Sequence, residues 1–189
     1  GLKSSNLVKD IYLLVTEDTE VPLQGCRILH VPALNSTATM RIIAAHSDAD
    51  YTLFYTKYTT LKLGMFALER MTRIAEDSVA GMVYADHYQV SEGIQKNAPV
   101  IDYQFGSLRD DFNFGSVLLY KASALQEAVT RMKTDYQFAG LYDLRLKLSQ
   151  KESLVHINEY LYSEIENDTR KSGEKIFDYV DPKNRGVQI

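Results

Sequence analysis

The densest run of chemically capable side chains lies at residues 106–115. Two adjacent carboxylates stand there beside an arginine and an amide: Arg109, Asp110, Asp111 and Asn113. Carboxylates accept hydrogen bonds from sugar hydroxyls, and one of them can act as the general base that deprotonates an attacking hydroxyl. A turn with helix-capping aspartates accounts for the same residues. We predict Asp110 and Asp111 as catalytic candidates, and Arg109 and Asn113 as candidates for binding a sugar.

Other polar side chains follow predicted strands at the point where each strand ends. Thr16, Glu17 and Asp18 follow one apolar run, and Asp86 and His87 follow another. The first group offers acceptors for a base or a ribose, or forms a solvated acidic turn. In the second group, Asp86 could hold a sugar hydroxyl. His87 titrates near neutral pH and could carry a proton, or it could be a loop histidine without a catalytic task.

The predicted strand at 51–55 leads into Thr56, Lys57 and Tyr58. Lys57 could offer a phosphate a positive charge without a metal ion, or it could be an exposed lysine in a turn. The Asp-Ala-Asp triplet at 48–50 spells a common metal-binding pattern. Because it precedes the strand, it lies at the opposite end of the sheet, and we interpret it as a helix-to-strand turn. No metal ligand is predicted.

Asp143 lies near the start of a predicted helix at 141–149. It could act as a general base. A carboxylate in the first turn of a helix also stabilises that helix through its dipole. Both interpretations stay open at this stage.

The elements that must position these residues alternate between strand and helix patterns. Strands are predicted at 11–16, 27–31, 51–55, 81–85, 116–120 and 154–157, with a hairpin turn at Gly93 and its return at 100–103. Helices are predicted at 35–47, 63–77, 123–133 and 141–149. Continuous apolar strands separated by helices are typical of a mostly parallel sheet covered on both faces. We therefore expect a three-layer, Rossmann-like α/β fold with its ligand crevice at the carboxyl ends of the strands.

Composition limits the classes of function. The chain has 189 residues with 45% hydrophobic residues and a net charge of −4, values typical of one globular domain. Lysines and arginines are scattered, which argues against a nucleic-acid partner. No apolar run approaches the roughly 18 residues of a membrane span. Cys26 is the single cysteine, which excludes an internal disulfide, makes a cysteine-based zinc site unexpected and predicts a reducing, cytoplasmic location.

Five segments carry a resemblance to a known family. They are the strand and acidic residues at 11–18, the helix with Asn and Arg at 35–41, the strand at 49–55, the segment at 115–125 and the helix at 142–148. In this order they resemble the family 2 glycosyltransferases of the GT-A fold. The similarity covers residues 8 to 165 and includes no counterpart of the first strand of the family. It implies a GT-A-like domain over 1–165 and a polar extension over 166–189.

The resemblance implies transfer of a sugar from a nucleotide-sugar donor to a hydroxyl acceptor. Thr16, Glu17 and Asp18 would then lie near the nucleobase, and Arg41 and Lys57 would contact the diphosphate.

Two positions depart from the family pattern. The metal-binding aspartates of the family fall on Thr56 and Tyr58, so a divalent cation (Mn²⁺ or Mg²⁺) would lack its usual ligands, which allows metal-independent transfer. The acidic pair that supplies the usual base falls on Gly140 and Leu141, and Asp143 follows shortly after. The alternative is a glycosyltransferase-like binding or scaffold module whose catalytic residues have been lost.

Overall fold

The computed structural model describes residues 2, 5–16, 24–109 and 111–166. Within these residues the strands are β1 (Tyr12–Val15), β2 (Arg27–His30), β3 (Tyr51–Tyr55), β4 (Thr60–Leu63), β5 (Met82–Ser91), β6 (Ile94–Ala98), β7 (Val117–Lys121) and β8 (Leu154–Ile165). The helices are α1 (Thr37–Ala45), α2 (Ala67–Asp77), α3 (Ala122–Thr130) and α4 (Gly140–Ser149). Predicted residues Glu17, Asp18 and Asp110, and the extension from 167 onward, lie outside the described residues.

The strands form two sheets, and the larger one corrects the predicted topology. β1 and β2 pair in parallel as a separate two-stranded sheet. The six-stranded sheet has the order β3-β7-β5-β8-β4, with β6 paired to β5. Among its described pairs, β5 with β8 is parallel, whereas β3 with β7, β5 with β7, β5 with β6, and β4 with β8 are antiparallel. The expected mostly parallel, Rossmann-like GT-A sheet is therefore wrong, although the α/β class is correct.

The error has a physical cause. β7 lies between β3 and β5 and runs antiparallel to both. A strand that is covered on both faces has a continuous apolar sequence in either direction, so the pattern of 116–120 predicted the strand but could not give its direction.

Several boundaries also differ from the prediction. β8 continues to Ile165, and β5 continues to Ser91. The turn between β5 and β6 has left-handed backbone at Glu92 (φ 52°) and Gly93 (φ 77°), which suits a two-residue hairpin turn. The predicted turn at Gly93 is thus confirmed, but its return strand is β6 rather than 100–103. Polar residues dominate β6, and its side chains are mostly exposed, so no apolar pattern marked it.

Helices cover both faces of the larger sheet. In β7, Leu118 packs into a core cluster with residues of α1, α3 and α4, whereas Leu119 packs into a second cluster with residues of α2. Tyr84 and Val83 of β5 divide between the same two clusters. Alternate side chains therefore enter opposite cores, which explains why these strands read as uninterrupted apolar runs.

The apolar pattern gives way to polar side chains at one end of the sheet. The pairing of β5 with β8 shifts register on both sides of Asp86, which lies opposite Tyr160. Beyond this irregularity, β5 continues as His87-Tyr-Gln and β8 as Tyr162-Ser-Glu164. β3 ends and β7 begins beside each other, since Tyr55 pairs with Val117. The irregular part of the β5–β8 pair, the end of β3 and the start of β7 therefore lie close together.

Candidate functional site

A buried group of polar side chains connects the loop after β3 with β5, β7 and β8. It consists of Lys57, His87, Ser116, Tyr162 and Glu164 and is called the Lys57 cluster below. The Nζ of Lys57 donates a hydrogen bond to Oε2 of Glu164 at 2.5 Å. The Lys57 side chain is 44% exposed, whereas that of Glu164 is 3% exposed. The cluster therefore has a buried acidic interior and a cationic group that reaches solvent.

His87 lies beside the same glutamate. Its side chain is 3% exposed, and its Nε2 stands 3.4 Å from Oε1 of Glu164. Neither ring nitrogen makes a hydrogen bond within the described part of the chain. The imidazole stacks on Tyr162 with ring centroids 4.9 Å apart. Burial lowers the pKa of His87, the Glu164 and Asp86 carboxylates oppose that shift, and the Lys57 charge adds to it.

Tyr162 closes the cluster against the start of β7. Its hydroxyl accepts the backbone N–H groups of Ser116 at 2.9 Å and Val117 at 3.4 Å. Burial raises the pKa of Tyr162. Gly115 has φ +76°, and a Cβ there would lie 2.5 Å from the tyrosine oxygen, so a glycine is needed for this approach. The backbone N–H of Thr56 donates to the carbonyl of Ser116 at 3.0 Å, which joins the loop before Lys57 to the same place.

Several polar atoms in this cluster are buried and make no hydrogen bond to any residue that the structure describes. They are both ring nitrogens of His87, Oγ of Ser116 and Oε1 of Glu164. An unsatisfied buried polar group costs about 1–3 kcal/mol, so folded proteins contain few of them. These atoms lie beside a lysine that reaches solvent. Such an arrangement is typical of a site that binds a ligand or a proton.

A second histidine lies in a different environment, because it stacks on Tyr84 of one core cluster, whereas His87 stacks on Tyr162 of the other. His156 of β8 is 6% exposed and contacts Asp86 Oδ1 through Nε2 at 2.9 Å and Asp102 Oδ1 through Nδ1 at 2.6 Å. Asp86 also accepts the backbone N–H of Val100 at 2.8 Å. Asp86, a predicted sugar-binding residue, is thus 2% exposed and already occupied by protein partners.

Tyr84 holds the same loop to the sheet. Its hydroxyl donates to the carbonyl of Ile101 at 2.9 Å and accepts the backbone N–H of Tyr103 at 2.7 Å. The ring stacks on His156 with centroids 5.1 Å apart. Burial raises the pKa of Tyr84 to about 12. His156 and Tyr84 together fix residues 100–103, the start of the segment that leads to Arg109.

The glycine-bounded polar loop is largely open to solvent. Arg109 and Asp111 form an ion pair at 3.3 Å, with side chains 77% and 68% exposed. Asn113 accepts the backbone N–H of Gly115 through its side-chain oxygen at 2.9 Å, so it closes the turn before β7. The structure therefore leaves Asp111 accessible, whereas the side-chain oxygen of Asn113 is engaged.

Two other predicted residues are engaged in structural contacts. Arg41 of α1 pairs with Asp135 at 2.5 Å and donates to the carbonyl of Met132 at 3.2 Å. Asp143 has a side chain 10% exposed and pairs with Lys147 one turn further along α4 at 3.4 Å. Among the described residues, no hydrogen bond or ion pair joins either of them to the Lys57 cluster.

Three further predicted residues are Thr56 and Tyr58, which flank Lys57, and Thr16. Thr56 contacts Ser116, and its side-chain hydroxyl donates to the same carbonyl at 3.4 Å. Tyr58 is 85% exposed. Thr16 is exposed directly after β1. The triplet at 48–50 lies between α1 and β3, as its interpretation as a turn requires.

Sequence reasoning found Lys57 and His87 but missed the residues that join them. The predicted strand at 154–157 stops short of Tyr162 and Glu164, because the chain after Glu159 is rich in polar residues. The strand periodicity offered a signal. Residues 160, 162 and 164 occupy every second position of β8, so their side chains lie on one face of the sheet. A glutamate at an inward-facing strand position is unusual and points to a charged partner.

The described residues lack any group of three or more histidine, cysteine, aspartate or glutamate side chains positioned to hold a metal ion. Among the same residues, every helix is too short or too polar to cross a membrane. No protein-family model matches the chain, and no curated protein matches it with significant similarity.

Proposed function

We propose that this chain binds a nucleotide sugar and transfers the sugar to a hydroxyl acceptor, with Lys57 contacting the diphosphate in place of a metal ion. The observation that carries the proposal is the Lys57 cluster, in which a solvent-reaching lysine adjoins buried polar groups without partners. The sequence resemblance of five segments to family 2 glycosyltransferases supports it, although the mostly parallel sheet that the resemblance implied is not the one found. With Cys26 as the single cysteine, we place this activity in the cytoplasm.

Lys57 suits the leaving diphosphate because its ammonium group is a compact charge on a flexible stem. Its half-exposed side chain can turn towards a ligand while its base stays fixed through the contact of Thr56 with Ser116. The leaving group of glycosyl transfer gains negative charge in the transition state, and a positioned cation stabilises that charge. Thr56 and Tyr58, which replace the family's metal ligands, bring no carboxylate to this position.

Asp111 is the described carboxylate best suited to act as the base. Its side chain is 68% exposed and its partner Arg109 is 77% exposed, and an exposed ion pair contributes little free energy to holding its members together. The exposed carboxylate can therefore be reached by an acceptor hydroxyl. Asp143 is a poorer candidate, since Lys147 covers a carboxylate that is only 10% exposed.

One observation favours a second candidate function, a nucleotide-sugar-binding or scaffold module without catalysis. Glu164 already neutralises Lys57 at 2.5 Å, so the positive charge offered to a leaving group is reduced. Binding requires only that a diphosphate compete with this carboxylate, whereas catalysis also requires a base. The two candidates therefore share a binding site and differ in turnover.

Calorimetric titration with uridine, guanosine and thymidine diphosphate sugars, each with and without Mn²⁺, tests the proposal. We expect at least one donor to bind without Mn²⁺. Lys57→Gln should weaken that binding by about tenfold to a hundredfold, the value of a hydrogen bond to a charged group. Lys62→Gln is the matched control, because Lys62 is an exposed lysine of β4, and it should leave affinity unchanged.

Release of nucleoside diphosphate from the bound donor, with water or sugar alcohols as acceptors, separates the two candidates. Transfer predicts measurable release that Asp111→Asn abolishes and Asp143→Asn retains. Binding without release in the wild type supports the scaffold module. Absence of binding by every donor would overturn both candidates, and binding that Lys57→Gln leaves unchanged would remove Lys57 from the site.

A further inference from the structure

We propose that diphosphate binding at Lys57 is coupled to uptake of one proton by the buried His87–Glu164 pair. The inference rests on the proposed function, because it requires an anionic ligand at Lys57. It adds a property that the proposed function does not require: when Lys57 turns to the ligand, a charge acquired by His87 replaces it as the partner of Glu164.

The geometry makes one charge dependent on another. Glu164 is 3% exposed, and Lys57 provides the hydrogen bond to one of its oxygens. If a diphosphate draws the ammonium group away, a buried carboxylate is left without a cation. Such a charge is costly in a protein interior. His87 lies 3.4 Å from the other carboxylate oxygen, and a protonated imidazole restores the compensating charge.

The groups that face His87 shift its pKa in two directions. Glu164 and Asp86 stabilise the imidazolium form, while burial and the Lys57 charge oppose it. Tyr162 stacks on the ring from β8. On β6, the residue paired with His87 is Ala98, whose side chain carries no charge. Movement of Lys57 towards a ligand, and the negative charge of the ligand itself, therefore both raise the pKa of His87.

The shift in the pKa of His87 decides how ligand affinity changes with pH. The pKa of His87 is lowered in the free protein and rises in the complex, so between these two values the complex holds one more proton. Affinity should fall as pH increases through that interval, by up to about tenfold per pH unit. Below and above the interval, affinity should be independent of pH.

Calorimetry with UDP-glucose, GDP-mannose and dTDP-glucose measures the coupling. The two phosphates of these donors hold no proton that titrates near neutral pH, so the ligand itself does not contribute. Titrations at about pH 6.5, the ordinary pKa of histidine, in buffers of different ionisation enthalpy give the number of protons exchanged. We expect uptake of up to one proton per ligand in the wild type and none in His87→Asn. His46→Asn is the matched control, because His46 is an exposed histidine.

A second measurement does not depend on a ligand. The chain has four histidines, so the ring signals of His87 can be identified in NMR spectra by comparison with His87→Asn. Lys57→Gln should raise the pKa of His87 in the free protein, and Lys62→Gln should not. Binding without proton uptake would overturn the coupling and leave the proposed function standing. Absence of binding would overturn both, and an unchanged His87 pKa in Lys57→Gln would overturn the coupling alone.

Discussion

His87 and His156 occupy comparable positions with opposite degrees of hydrogen bonding. Their side chains are 3% and 6% exposed, respectively. Each imidazole stacks on a tyrosine, His87 on Tyr162 and His156 on Tyr84. Both nitrogens of His156 meet carboxylate oxygens, at 2.9 and 2.6 Å, whereas neither nitrogen of His87 has a hydrogen-bond partner among the described residues.

This difference separates a structural role from a functional one. His156 contacts a carboxylate through each of its two ring nitrogens. That arrangement holds the loop at 100–103 on β5. His87 makes no hydrogen bond within the described part of the chain, so its burial is a cost. We infer that His156 stabilises the domain and that His87 is retained for the Lys57 cluster.

The largest expected effect comes from removing each histidine in turn. His156→Leu leaves the 2% exposed carboxylate of Asp86 without its ring partner, which should lower the free energy of unfolding by about 3–5 kcal/mol. His87→Leu removes no hydrogen bond and should change stability by less than about 1 kcal/mol. Urea denaturation of the two variants measures both. Equal losses in the two variants would contradict the comparison.

The next effect concerns Tyr162, the tyrosine that stacks on His87. Tyr162→Phe removes the acceptor of the backbone N–H groups of Ser116 and Val117. We expect a loss of about 1–3 kcal/mol, because both donors are buried. Tyr160→Phe is the control: that ring stacks on Tyr88, and the change should cost less than about 0.5 kcal/mol. Thermal denaturation of the pair decides, and a Tyr162→Phe as stable as its control would refute the role of this hydroxyl.

The smallest effect is the pH dependence that His87 confers. In the unfolded chain the pKa of a histidine is about 6.5. In the folded chain burial lowers the pKa of His87 below that value. Between these values the unfolded state binds more protons, so stability falls as pH decreases through the interval, by at most about 1.4 kcal/mol per unit.

The difference in unfolding free energy between wild type and His87→Leu isolates this contribution. We expect the variant to gain relative stability at pH 5 compared with pH 7.5. A difference that stays constant across this range would show that His87 titrates normally in the folded protein.

Sequence patterns predicted six of the eight described strands, all but β4 and β6, and predicted strand directions poorly. The strand at 51–55 is found as predicted, because its apolar side chains enter two cores. The same double burial hid the antiparallel direction of β7. The second half of β8 was missed because polar residues occupy four of the eight positions from 158 to 165, at Asn158, Glu159, Ser163 and Glu164. Direction and register depend on contacts between distant segments, which local patterning does not record.

The candidate site was predicted in parts. Lys57 and His87 were identified because each follows an apolar run. Glu164, which contacts both, lies 107 residues from Lys57 in sequence, and nothing local connects them. Asp86 and Asp143 were chosen as accessible carboxylates, yet both are buried and paired. Residue type suggested the chemistry, but only the tertiary contacts show which groups are free to perform it.

A diphosphate ligand should act on the Lys57 cluster and not on the paired histidine His156. NMR spectra of the histidine rings, recorded while UDP-glucose, GDP-mannose or dTDP-glucose is added, test this directly. At least one donor should shift the ring signals of His87 and leave those of His156 in place. Ring signals of His87 that stay unchanged with every donor, or shifts confined to His156, would contradict a role of the Lys57 cluster in binding.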